Sequence, residues 1–379
     1  MEIILFLAVL VVLIVVHELG HFLAAKLFGI RVEEFGIGYP PRALTLGKIG
    51  ETIYSLNWLP FGGFVKIFGE GLGEDVPESE RRRALVSQKA WKQAVVFVAG
   101  VTFNVIFAWV LFSASFMMGS PMAVDEARVK SGELDRNGPV LAVSAVLPNS
   151  PADIAGLKPG DSITALASNS DDVQNPLPSD VSSFIANHAG ESVQIYYKRQ
   201  VSGHFEQELV VSSVEITPSH GVIASKQGTP AIGIEMVLVS AERQGVGSAM
   251  ILGAQKTYRA TIVIAVGIGK FIKSALTGSA DWRAVAGPVG IVGLVGDASS
   301  LGLLHLLNFT AMISINLAII NLIPIPALDG GRLVFVAIEG VTRRKIHSGV
   351  VGALNMLGFA AIILLMLIIT YHDVIKIVT

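Results

Sequence analysis

The feature that most constrains this sequence is a set of ionisable residues inside an apolar run. Ile3–Val16 is uninterrupted apolar sequence, His17-Glu18-Leu19-Gly20-His21 follows it, and apolar character resumes over Phe22–Ala25. A membrane-crossing helix needs about 20 mostly apolar residues, so this segment spans only if the two histidines and the glutamate lie within it. Such groups are costly in a bilayer and mark function by default. Glu2 stands where a signal peptide would be basic, and no small-x-small cleavage site follows the run, so a cleaved leader is the weaker reading. In His-Glu-x-x-His the two histidines stand at i and i+4, on one helix face. Both imidazoles can then reach a single zinc ion, with Glu18 beside them as a base for activated water. The plainer alternative is a polar packing patch satisfied by neighbouring helices.

Three further segments read as spans: Ala94–Met118, Leu301–Leu328 and Gly349–Tyr371, all without charged residues. The whole chain of 379 residues is 52% hydrophobic and 15% charged, against about 25% charged in a soluble domain. This excludes a disordered chain and argues against an ordinary soluble enzyme. The net charge of −2 carries no sign of nucleic-acid binding. With no Cys, a metal must be held by His, Asp or Glu. Arg81, Arg82, Arg83, Lys89 and Lys92 precede the second span, and Arg332, Arg343, Arg344 and Lys345 separate the third from the fourth. The positive-inside rule makes both loops cytoplasmic and puts the middle region outside.

Residues 139–147, Val193–Lys198 and Glu208–Val214 read as strands, Asn149–Ala155 and Pro178–Asn187 as short helices, and Asn169–Pro178 as a loop. Residues 251–276 are apolar but carry Lys256, Arg259, Lys270 and Lys273, which fits an amphipathic helix at the membrane interface better than a fifth span. The expected division is 1–118, 119–238, 239–300 and 301–379.

A catalytic zinc site takes three protein ligands and keeps one position open. Asp329 is the best third candidate. It is the first charged residue after the third apolar segment, on the same side as the end of the first span, and it follows Pro324 and Pro326, which cannot continue a helix. Gly330-Gly331 then permits close backbone approach. Standing alone, Asp329 would read as a cap or interface residue.

His17-Glu18-Leu19-Gly20-His21 in a first span, together with Asn321 through Gly331 in a late one, resembles the site-2 protease family of intramembrane zinc metalloproteases, and within it the bacterial regulator of sigma-E protease group. The resemblance covers nearly the whole chain. Phe35–Pro40 is similar to the family's glycine hairpin, Pro60–Lys66 to its membrane-associated β-loop, and Gly287–Ile291 to a motif before the third span. Residues 146–163 are similar to the PDZ pattern of bacterial proteases, in a single copy, with Ser150–Ala155 as a capped helix, a strand starting near Ile163, and Ala231–Ile234 as a late strand of the groove.

The resemblance implies a polytopic α-helical membrane protein: four transmembrane helices, a membrane-associated β-loop and an inserted extracytoplasmic α+β PDZ domain. It implies one Zn2+ per chain on His17, His21 and Asp329, with Glu18 as general base. Asn316 and Asn321 match two family asparagines, the second implicated in holding substrate; helix packing is the alternative for each. Gly62, Gly63, Phe64, Val65 and Lys66 are candidates for an edge strand that holds an unwound substrate, after a turn at Asn57–Pro60, with a loop on the bilayer surface as the alternative.

The partners implied are the lipid bilayer of a bacterial inner membrane and single-pass membrane proteins, such as anti-sigma factors or remnant signal peptides. Extended segments or C-termini would bind at the PDZ domain, and the active site would face the cytoplasm. The competing function is a non-enzymatic membrane receptor or chaperone that captures peptides.

Overall fold

The computed structural model describes all residues except 1, 71–76, 137, 203–206, 223–227, 280–281, 283–284 and 379. It comprises two units, residues 1–118 with 244–379, and residues 119–243.

The first unit begins with helix α1 (Glu2–Leu27), which runs straight through the His-Glu-x-x-His break. Strands β1 (Val32–Ile49) and β2 (Thr52–Ile67) pair antiparallel. Their register makes this more than a simple hairpin. Phe35, Gly36 and Ile37 pair with Val65, Phe64 and Gly63 on one side and with Tyr54, Ser55 and Leu56 on the other. Gly63–Ile67 is therefore an edge. The turn expected at Asn57–Pro60 is absent, and β2 continues through it. The strand changes partners there: Asn57 is buried, and its Nδ2 donates to the Gly38 carbonyl at 3.1 Å. A buried backbone satisfied in this way has no need to reverse.

Helix α2 (Ala90–Met117) completes the first half of this unit. The chain returns to it after residue 243 with α6 (Val246–Leu276), α7 (Pro288–Ser300), α8 (Leu303–Leu322), α9 (Asp329–Thr342) and α10 (Ser348–Val378). Among the described residues four helices are long and apolar enough to cross a membrane: Glu2–Leu27, Ala90–Met117, Leu303–Leu322 and Gly349–Ile375. Helix α2 is central, touching α1, α6, α8 and α9. Small residues let it approach its neighbours closely. A Cβ on Gly20 of α1 would stand 2.4 Å from the Ala99 carbonyl oxygen of α2, and one on Gly253 of α6 would stand 2.2 Å from Ser113 Oγ. Helix α6 is thus seated against α2, and its Ala260 and Ile264 pack on a core of Ala108, Phe112, Ala311 and Ile315.

Helix α8 ends at Leu322, as Pro324 and Pro326 require. The chain then folds back onto the start of α9. Ala327 takes a left-handed backbone (φ 80°) and its N–H donates to Asn355 Oδ1 of α10 at 3.1 Å. Added Cβ atoms on Gly330 and Gly331 would come within 2.2 and 2.3 Å of the Ile323 and Ile325 carbonyl oxygens, and one on Gly358 of α10 within 2.1 Å of that of Pro326. The glycines are therefore what allow Asp329 to sit at the break. The Gly287–Ile291 motif has a separate explanation. Buried Asp373 of α10 accepts the Gly290 N–H at 2.8 Å and so satisfies the first turn of α7.

The second unit contains β3 (Met122–Ala123), α3 (Glu126–Lys130), β4 (Val140–Val146), α4 (Pro151–Ile154), β5 (Ser162–Ala167), β6 (Asp172–Gln174), α5 (Pro178–Asn187), β7 (Val193–Ser202), β8 (Gln207–Ile216) and β9 (Ile234–Ser240). The sheet order is β3-β9-β4-β5-β7-β8, with β6 beside β5. Residues 169–178, expected as loop, contribute the short β6. Ser150 caps α4 by accepting the Asp153 N–H. Leu141, Leu166, Val181, Phe184 and Ile195 are among the residues of its core. Buried Asp161 accepts two bonds from Arg199, both at 2.6 Å, and the Lys158 N–H at 2.8 Å.

Gly358→Val should force the Pro326 turn away from α10 and destabilise the chain by about 1–3 kcal/mol, the usual cost of overpacking. A thermal unfolding midpoint of the detergent-solubilised variant equal to wild type would contradict this account of the break.

Candidate metal centre

Helix α1 sets His17 and His21 one turn apart, with ring centroids 4.7 Å apart and planes crossed at 83°. Both are buried, at 7% exposure. Asp329, the first residue of α9, brings Oδ2 to 3.0 Å from His17 Nε2 and 3.3 Å from His21 Nε2, and the two Nε2 atoms are 3.1 Å apart. Bonds of about 2.0–2.2 Å to a tetrahedral zinc place ligand atoms roughly 3.3–3.6 Å from one another. The three atoms are close to that spacing, and the donor set of two imidazoles and a carboxylate suits zinc. Among the described residues this is the one group of three such side chains arranged to hold a metal ion.

The far nitrogen of each ring decides whether Nε2 is free to bind. His21 Nδ1 is 2.8 Å from the Val96 carbonyl, so Nδ1–H donates and the Nε2 lone pair points to the centre. His17 Nδ1 is 3.2 Å from the side-chain amide of Asn104. With the amide nitrogen on that side, Asn104 Oδ1 is buried without a partner. Turning the amide by a half rotation puts oxygen against Nδ1, gives that hydrogen a place to go and frees Nε2. Both orienting groups come from α2. Gly100, between them, provides the space: a Cβ there would stand 2.4 Å from His21 Nε2 and 2.8 Å from His17 Cε1.

A cavity of about 240 Å3 opens beside these three side chains. Glu18, Tyr39, Phe64, Asp329 and Arg332 are among the residues that line it. The Glu18 carboxylate lies beside the Val65 backbone N–H, so the general-base candidate sits against the outer edge of Gly63–Ile67. Gly63 faces Glu18 directly, with its Cβ position 3.9 Å from Glu18 Cγ. Arg332, one turn after Asp329, pairs with Glu70 and lies 5.5 Å over the Phe97 ring. Its charge is thereby balanced within the cavity wall.

The remaining sequence candidates separate. Asn321 is near the centre, its Nδ2 3.4 Å from His17 Nε2. Asn316 lies on an exposed face of α8. Gly63, Phe64 and Val65 line the cavity. A Cβ on Gly62 would meet Tyr39 and Ile14 at 3.1 and 3.3 Å. Lys66 is directed away, its Nζ 2.8 Å from Glu33. Sequence reasoning missed Val96, Gly100, Asn104, Tyr39 and Arg332. Asn104 left a signal, an amide in an otherwise uncharged span. Gly100 left none, because nothing near it in the chain says which helix it will face.

The model of peptidase family M50 matches residues 5–365. A Clostridium perfringens protein inferred to be a zinc metalloprotease is 33% identical over 364 residues, covering 96% of this chain and 95% of its own. One from Clostridium acetobutylicum, described in the same terms, is 32% identical over 364 residues, covering 96% and 94%. The zinc metalloprotease RasP of Geobacillus kaustophilus is 28% identical over 440 residues, covering 99% and 98%. With a match over nearly its full length and the donor set in place, this chain belongs to peptidase family M50.

Proposed function

We propose that this zinc metallopeptidase cleaves peptide bonds within the transmembrane segments of single-pass membrane proteins, with His17, His21 and Asp329 as zinc ligands and Glu18 as the proton-transfer group. The observation that carries the reading is the convergence of two Nε2 atoms and a carboxylate oxygen within a membrane-crossing helix bundle, with Glu18 between them and an open strand edge. Zinc, when bound, supplies Lewis-acid chemistry, polarising a peptide carbonyl and making water acidic enough to ionise near neutral pH. Glu18 takes the proton of the attacking water and delivers it to the leaving nitrogen. Asn321, beside the ligands, is suited to donate from its amide to the substrate carbonyl.

A helical substrate satisfies its own backbone and shields its carbonyls, so cleavage requires local unwinding. Gly63–Val65 spends one side on β1 and leaves the other toward the cavity. An extended substrate added to this edge keeps its backbone hydrogen-bonded while its carbonyl lies against Glu18. Gly62 and Lys66 bound that edge, and Asn316, exposed on α8, lies outside the cavity lining. The 119–243 unit is read as a PDZ domain that takes extended segments or C-termini by strand addition. Loop charge supports an extracytoplasmic position for it and a multi-pass location in a bacterial plasma membrane, with anti-sigma factors and remnant signal peptides as the substrate classes.

Glu18→Gln should lower cleavage of a co-expressed single-pass substrate by at least about 100-fold while zinc stoichiometry stays at one per chain; unchanged turnover would remove Glu18 from the chemistry. Asn104→Ala should weaken zinc about 10–100-fold, read by competition with a chromophoric chelator, and an unaltered affinity would refute its orienting role. Gly100→Val should abolish zinc binding outright, since the new methyls occupy the space of both imidazoles.

A further inference from the structure

Away from the metal centre, the described residues form another cavity, of about 270 Å3, where α2 begins and α9 ends. Arg343, Arg344 and Lys345 line one wall. Helix α9 stops as Arg343 takes a left-handed backbone (φ 53°), a conformation uncommon for residues with a side chain. That turn delivers three consecutive cations to the same space. Lys345 Nζ reaches across and donates to the Val86 carbonyl at 3.1 Å. Glu339 is the acid in the lining, and its carboxylate accepts the Ile346 N–H at 2.9 Å. Among the described residues neither Arg343 nor Arg344 forms an ion pair.

The facing wall is the N-terminus of α2, with Gln88, Ala90 and Gln93. No side chain caps that helix, so its first-turn amides and the positive end of a 28-residue helix add to the three cations. The depth of the cavity in the membrane is set by the same residues. Ala90 starts a candidate span, and Trp91 is 55% exposed with Lys92 Nζ 5.9 Å from its ring. Trp and Lys at the start of a span sit at the headgroup level. Ordinary charge bias at the ends of spans needs only scattered cations, whereas here they converge on a concave site.

We propose that this cavity binds the phosphate of an anionic glycerophospholipid. A lipid fits better than a soluble anion because the cavity opens where a candidate span begins, at the level of Trp91, and Val86, Ala90 and Val336 line it beside the cations. Arg343 and Arg344 are placed to hold the headgroup. The site is separate from the peptidase reading and stands or falls without it.

The test is native mass spectrometry of the full-length, zinc-loaded chain, titrated with phosphatidylglycerol and with phosphatidylcholine of identical acyl chains and no peptide substrate. Wild type should bind phosphatidylglycerol at least about tenfold more tightly. Combined R343Q, R344Q and K345Q should remove that preference, since each cation near an anionic surface contributes measurably. R81Q with R82Q, which lie outside the cavity, should leave it within about twofold. The proposal fails if wild type does not distinguish the lipids, or if the R81Q–R82Q control loses the preference equally. It also fails if inorganic phosphate alone binds as tightly as phosphatidylglycerol, which would make the ligand a soluble anion. Because all three changed residues are exposed, retained unfolding midpoints will confirm that the variants remain folded.

Discussion

Two buried imidazoles and a half-buried carboxylate in an apolar bundle are tolerable only together. Each is costly when isolated from water without a partner, and Asp329 Oδ2 at 3.0 and 3.3 Å from the two Nε2 atoms is what makes the set acceptable. Three helices that are distant in sequence depend on that meeting. Helix α1 supplies the histidines, α9 the carboxylate, and α2 the groups that orient the rings. The glycines follow from the same requirement. Gly20 and Gly100 allow α1 and α2 to touch, while Gly330, Gly331 and Gly358 allow the chain to fold back so that Asp329 arrives at the start of a helix.

In the function proposed above, the short sheet beside the centre would answer a different constraint: a peptide bond in a membrane is protected by its own helix, and a hydrolase acting there must offer an alternative set of hydrogen bonds. β1 is paired on both sides near residues 35–37, which leaves Gly63–Val65 as the outer strand against Glu18. Asn57 holds the crossover by bonding to Gly38. The position of that edge is thus set by a buried side chain on the far side of the sheet. At the other end of α9, Lys345 just beyond the helix donates to the Val86 carbonyl ahead of α2.

Much of this was legible in the chain. Periodicity cannot hide charges in a span, so Glu18, His17 and His21 stood out, and the prolines before Asp329 announced a break that the structure contains. The β-branched runs of the middle region became β4, β7 and β8, and Pro178–Asn187 became α5 with the same bounds. Local signals failed where a residue's partner lies far away. Asn57–Pro60 has turn composition, yet tertiary pairing keeps it extended. Asn316 and Asn321 look alike in sequence, but five residues along a helix turn them to different faces, and one of them is near His17. Lys66 belongs to the edge strand, and the alternation of a strand sends its side chain to Glu33.

By itself the sequence determined which residues are chemically able to hold zinc, which segments can cross a membrane, and that a middle unit with its own core interrupts them. These are properties of composition, spacing and helix period, all local. Only the tertiary structure decided that Val96 and Asn104 orient the imidazoles, that Gly100 leaves room for them, that Arg332 is balanced by Glu70, and that three cations after α9 meet the start of α2. Each of these depends on which helix faces which. Close packing of side chains from separated segments sets that relation, and no window of neighbouring residues contains it.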